Sequence, residues 1–89
     1  MRQPTNPLHP GEILAEEFLT PTGITQTAFA EKLGWTRARL NELINCKRGI
    51  TADAALDLAE ALGTTAQLWM NLQATYELDR ARKRRERVA

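Results

Sequence analysis

A chain of 89 residues, 43% hydrophobic and 26% charged, is the size of one small domain, near the lower limit at which apolar packing alone sustains a fold. One cysteine excludes an internal disulfide, and a single histidine beside it leaves no ligand set for a structural zinc. No apolar run approaches a membrane span and nothing resembles a signal peptide, so a cytoplasmic protein is expected.

The net charge of +1 hides an asymmetry: residues 1–79 carry six Lys/Arg against ten Asp/Glu, and residues 80–89 carry six against one. Residues 1–8, MRQPTNPL, hold two prolines and no apolar period, and read as an extended arm. His9, Pro10, Gly11 and Glu12 then open a helix, since proline suits the first helical position and Glu12 favours the positive end of the dipole. Ile13, Leu14 and Phe18 form its buried side, with Glu12, Glu16 and Glu17 making the rest acidic. Pro21 is expected to stop it by Thr20, because the residue before proline is pushed out of the α region.

The stretch from Gln26 to Asn45 reads as a helix-turn-helix. Phe29, Ala30 and Leu33 share one helix face, and Leu40, Leu43 and Ile44 share another. Gly34 ends the first helix with positive φ, Trp35 turns inward, and Thr36 is placed to cap the second helix. Arg37, Ala38, Arg39, Asn41 and Glu42 remain outward near the N-terminal half of that second helix, where a major-groove reader needs them. Positive charge is concentrated here: residues 25–50 hold Lys32, Arg37, Arg39, Lys47 and Arg48 against Glu31 and Glu42.

Beyond the motif, Thr51 caps a small-residue helix through Ala54, Ala55, Leu58, Ala59 and Leu62, ended by Gly63. Thr65 caps a fifth helix that can run on into the basic segment RARKRRERVA. On it Trp69, Leu72, Gln73 and Tyr76 form a stripe bordered by Leu68, wider than a four-helix core needs, so Leu68, Trp69, Leu72 and Tyr76 are expected to cover a partner subunit. The domain is thus placed at residues 9–79, with motif 26–45 and a basic tail at 80–89. No nucleophile stands next to a base here: the chain has no serine, and His9 reads as a helix-start residue. An enzyme is not expected.

Gly-Ile-Thr-Gln before the motif, with Asn45, Lys47, Arg48 and Gly49 after it, resembles the Cro/CI-type (XRE) helix-turn-helix superfamily. The flanking stretches HPGEILAEEFLTPTGITQ and KRGITADAALDLAEALGTTAQLWMNLQATYELDRA resemble more narrowly the HigA/VapI-type antitoxins, over about residues 9–82. The resemblance implies an all-α, five-helix, lambda-repressor-like DNA-binding domain that forms a homodimer, binds a palindromic double-stranded operator and represses its own operon. It also implies a basic HigB-like toxin partner of the RelE-like mRNA-cleaving fold, and neither cofactor, metal nor small-molecule ligand.

Carried over by position, Gln26, Thr27, Thr36, Lys47 and Arg48 would hold phosphates, and Arg37, Ala38, Arg39, Asn41 and Glu42 would face bases. The acidic Glu12, Glu16 and Glu17 are free of that surface and could complement a basic toxin. Trp35 and Cys46 depart from the family's usual aliphatic and glycine. Either Cys46 takes a left-handed conformation at some cost, or Asn45 takes it instead. The rival readings are a free-standing Cro/CI-like repressor without a toxin, and a protein-interaction adaptor that has lost DNA binding.

Overall fold

The computed structural model describes residues 8–88, so residues 1–7 of the expected arm lie outside the described residues. Five helices follow one another with no strand among the described residues. The first, α1, is three segments end to end: Pro10–Ile13, a π-helical stretch Leu14–Leu19, and Thr20–Thr22. Next come α2 (Gln26–Leu33), α3 (Arg37–Ile44), α4 (Ala52–Leu62) and α5 (Ala66–Val88).

Helix α1 does not stop before Pro21 as expected; it passes through the proline and ends at Gly23, φ 72°. Proline inside a helix lacks an N–H and crowds the carbonyl four residues back. The preceding π turn, in which the Thr20 N–H donates to the Ala15 carbonyl, widens the helix just before that ring. Thr22 Oγ1 adds a bond to the Phe18 carbonyl at 2.8 Å. At the other end His9 is the N-cap: its Nδ1 accepts from the Gly11 N–H at 2.9 Å, with Pro10 in the first turn.

The remaining starts are threonine caps. Thr25, Thr36, Thr51 and Thr65 accept through Oγ1 from the N–H three residues on, at 3.1 to 3.2 Å. Each satisfies one of the orphan donors of a helix start, a contribution of about 1 kcal/mol. Gly34 ends α2 at φ 75°, and the Trp35 N–H returns to the Ala30 carbonyl at 2.9 Å, which closes the turn of the motif.

The core is apolar and shared by all five helices: Leu14 and Leu19 from α1, Phe29 and Ala30 from α2, Leu40 and Leu43 from α3, Ala54, Ala55 and Leu58 from α4, and Trp69 from α5. Alanines at 54 and 55 let α4 lie close along α5, as their size predicts. Trp69 corrects an expectation. It is 0% exposed within its own chain, its indole N–H donates to Thr64 Oγ1 at 2.8 Å, and its ring meets Phe18 at 5.5 Å. A side chain sealed in the monomer core cannot cover a partner subunit. Of the expected partner-facing stripe, Leu68 is 38% exposed, while Leu72 and Tyr76 are half-buried.

Two close approaches fix the outer helices. A Cβ built on Gly11 would fall on the backbone carbonyl of Leu43, so α1 sits directly on the C-terminal turn of α3. Gln73 of α5 lies 2.7 Å from where a Cβ on Gly49 would be, and its Oε1 accepts from the Ile50 N–H at 2.7 Å. Beyond that anchor α5 continues unbroken across the expected boundary at residue 80, so the basic segment is helical through Val88. Among the described residues no helix is long and apolar enough to cross a membrane.

Candidate nucleic-acid interface

The outward face of α3 begins with Arg37 and Ala38, both exposed in its first turn. Thr36 caps the helix by accepting the Arg39 N–H, which leaves its hydroxyl proton to donate, and Arg37 sits in the first turn at the positive end of the helix dipole. Among the described residues the Arg37 side chain has no hydrogen-bond or ion-pair partner.

Arg39 is held differently. Its guanidinium lies 3.9 Å from the centre of the Trp35 ring, and the Trp35 indole N–H donates to Asp57 Oδ2 at 2.8 Å. Tryptophan in place of the usual aliphatic therefore has a physical account: its edge is tied to α4 and its face is covered by Arg39. To reach a base Arg39 would have to give up a stack worth about 1 kcal/mol.

Toward the C-terminal half the polar groups are bonded to one another. Asn41 Nδ2 donates to Gln26 Oε1 at 3.3 Å, linking the start of α2 to the second half of α3. Asn45 Nδ2 donates to the Asn41 carbonyl and to Asn41 Oδ1, at 2.9 and 3.1 Å. Glu42 pairs with Arg48, whose Nη2 and Nε lie 2.7 and 3.0 Å from the same carboxylate oxygen. An expected base reader and an expected phosphate ligand are thus partners in the free chain. Thr27 and Lys47 are exposed, and Gln26 is half-buried.

Cys46 settles the alternative at the helix end. It takes φ 63°, whereas Asn45 stays at φ −89°. The Cys46 N–H donates to the Leu43 carbonyl at 3.1 Å and the Lys47 N–H to the Glu42 carbonyl at 2.8 Å, so the orphan carbonyls of α3 are satisfied despite the strain. Burial and the nearby Glu12 carboxylate raise the Cys46 thiol above its ordinary pKa; Sγ lies 3.7 Å from Glu12 Oε1.

The acidic side chains of α1 divide as well. Glu12 is half-buried and turns back to the His9 N–H at 3.4 Å, whereas Glu16 and Glu17 are exposed. Sequence reasoning missed Trp35 with Asp57, Arg39 on Trp35, and Gln73 with Ile50. No local pattern signals the first and last of these, whose bonded residues lie 22 and 23 positions apart, whereas Arg39 stands only four positions from Trp35, a spacing at which the stack could have been read.

A capped helix pair with a tight turn, presenting a basic and hydrogen-bonding face from its second member, defines the helix-turn-helix class. The sequence profile of the helix-turn-helix family matches residues 16–69. Antitoxin HigA-1 of Vibrio cholerae is 42% identical over 83 residues, covering 93% of this chain and 78% of the relative. Two solved structures from Pseudomonas aeruginosa are similar over most of their length. PA4674 in complex with its operator DNA has a TM-score of 0.89 and 40% identity, covering 93% of this chain and 87% of that one. Antitoxin HigA with the higBA promoter has 0.86 and 41%, covering 91% and 88%. The chain belongs to the helix-turn-helix family, among its HigA-type members.

Proposed function

We propose that this protein is the antitoxin of a two-gene module and the repressor of its own operon. It binds operator DNA as a homodimer through α3 and neutralises a basic, RelE-like mRNA-cleaving toxin. The observation that carries the DNA half is the exposed Arg37, without a hydrogen-bond or ion-pair partner among the described residues, beside Ala38 at the capped start of α3, with Thr27 and Lys47 also exposed, in a chain whose relatives include operator-bound proteins.

In this reading Arg37 leads base recognition, because an arginine at the start of a recognition helix can pair with guanine O6 and N7. Ala38 allows close approach, ideally to a thymine methyl. Asn41 and Glu42 join by exchanging their intrachain bonds for base edges, and release of Glu42 frees Arg48 for phosphate. Gln26, Thr27, Thr36 and Lys47 hold the backbone on either side of the groove. Arg39 reads a base only by leaving Trp35.

One such helix buries too little surface for operator-grade affinity, so two copies are required, with recognition helices about 34 Å apart. Leu68 and Leu78 are exposed apolar side chains of α5 available to that contact, with Leu72 and Tyr76 half-buried on the same helix. For the toxin, the exposed Glu16 and Glu17 are more accessible than the half-buried Glu12. The protein acts in the cytoplasm as a binding module without catalytic or cofactor chemistry.

The test is co-expression with the adjacent open reading frame, affinity pull-down, and mobility shift on the shared upstream DNA. A co-purifying basic protein that halts growth when expressed alone, together with a shift on that DNA, is the expected result. A shift without such a partner leaves a free-standing repressor; a partner without a shift leaves an adaptor.

A further inference from the structure

The basic end of α5 is not spread evenly around its helix. Lys83 is drawn to Asp79 at 3.0 Å. Arg80 and Arg84, four residues apart, instead lie on the stripe that carries Gln73 and Tyr76, and that stripe faces the loop after the recognition helix. Between them is an open cleft of about 410 Å³, with Lys47 and Arg48 on one wall and Arg80 and Arg84 on the other. Among the described residues Glu77 is the one carboxylate lining it, and His9 contributes an imidazole whose pKa burial lowers.

The walls are held in register. Gln73 bonds the Ile50 N–H, Tyr76 packs edge-on against His9 with ring centres 4.8 Å apart, and Arg80 Nη1 donates to the Tyr76 hydroxyl at 2.9 Å. Four cations stand around one cleft, of which Arg48 alone is ion-paired among the described residues, to Glu42, and Glu77 lines the cleft against them; the excess of positive charge gains from an anion between the walls. The cleft is open to the surface, as contact with a phosphate backbone requires. It also adjoins the loop that follows α3, through Cys46, Lys47, Arg48 and Gly49.

We propose that Arg80 and Arg84 contact backbone phosphates, so that the C-terminal helix closes a second wall on a DNA strand already held by Lys47 and Arg48. The proposal rests on the operator-binding reading. Each phosphate contact adds about 0.9 to the dependence of log K on log salt.

The test measures operator and random-DNA binding against salt for wild type, Arg80→Ala/Arg84→Ala, Arg80→Lys/Arg84→Lys and Glu77→Gln, with helicity checked by circular dichroism. The double alanine variant is expected to lose about two from the slope per chain, with equal proportional weakening on both DNAs. The double lysine variant should keep the slope, and Glu77→Gln should tighten both complexes. If the alanine variant keeps the wild-type slope while Lys47→Ala loses about one, the inference is overturned and operator binding stands. If the wild-type protein binds neither DNA, both fall together.

Discussion

The two faces of α3 are built from the same eight residues and are constrained in opposite ways. On the inward face Leu40 and Leu43 are sealed in the core, and the Leu43 carbonyl lies against Gly11 with no room for a single added carbon. On the outward face Asn41 and Glu42 are held by bonds of 2.7 to 3.3 Å to Gln26 and Arg48, each of which another polar partner can replace. Backbone packed on backbone tolerates no exchange. Exposed polar pairs, worth about 0 to 1 kcal/mol each, can be traded for a base edge or a phosphate at little net cost. Damage to the inward face should therefore appear as lost folding, and damage to the outward face as lost recognition by a chain that still folds.

The largest expected effect breaks the inward side. Gly11→Ala puts a Cβ on the Leu43 carbonyl, so α1 must lift off α3 or both must shift, at a cost of about 3 kcal/mol or more. Urea denaturation followed by circular dichroism measures it. A loss of less than about 1 kcal/mol would mean that α1 can slide over α3, and that the two faces are less different than the geometry makes them.

Next in size is the outward side. Arg37→Ala should leave the unfolding midpoint unchanged and weaken operator binding by about 1 to 3 kcal/mol, with little change on random DNA. Arg39→Ala should cost the operator less, because its guanidinium is committed to Trp35, and should lower stability through the exposed ring it leaves behind. Fluorescence anisotropy at fixed salt separates the two. Equal losses on operator and random DNA for Arg37→Ala would reduce that arginine to a phosphate contact.

How far this division could be read from sequence depends on the range of the interactions behind it. Thr36, Thr51 and Thr65 as caps, Gly34 and Gly63 as stops, and Phe29, Ala30, Leu40 and Leu43 as inward residues are local facts, because cap and period span no more than a few positions. The outward set on α3 followed from the same period. What escaped was set elsewhere in the chain. Pro21 reads locally as a stop, yet a π turn before it carries α1 on. Trp69 reads as core and partner contact at once, yet Phe18 and Thr64 draw it wholly into the core. The pairing of Glu42 with Arg48 crosses a turn whose path rests on Cys46 at positive φ.

That cysteine gives a smaller effect on the boundary between the faces. A non-glycine residue in the left-handed region costs about 1 kcal/mol, and Cys46 holds φ 63° with its thiol against Glu12. Cys46→Gly should raise stability by up to about 1 kcal/mol, less the extra freedom glycine gives the unfolded chain. The paired N–H groups of Cys46 and Lys47, and with them the Glu42–Arg48 pair, should persist, so operator affinity should hold. A destabilised Cys46→Gly protein would show that the thiol and Glu12 together are worth more than the strain.

The smallest effect tests the inward seam through pH. His9 is 3% exposed, accepts the Gly11 N–H through Nδ1, and hydrogen-bonds the Arg48 backbone. Burial lowers its pKa from the ordinary 6.5; the Glu12 carboxylate and the Arg48 bond work against that shift, and the Arg80 charge adds to it. A lowered folded pKa means that the unfolded chain binds the proton first. Stability from this group is therefore fully present above about pH 6.5 and is lost as pH falls from there toward the folded value. Protonation would also turn Nδ1 from acceptor to donor and break the cap of α1. His9→Asn keeps a capping acceptor and does not titrate. Its midpoint should lie below that of wild type at pH ~7.5, and the gap should narrow toward pH ~5, because only the wild type loses the histidine contribution. Parallel midpoints across that range would show that the imidazole takes up its proton inside the folded chain as readily as outside. The start of α1 would then be as exchangeable as the outward face of α3.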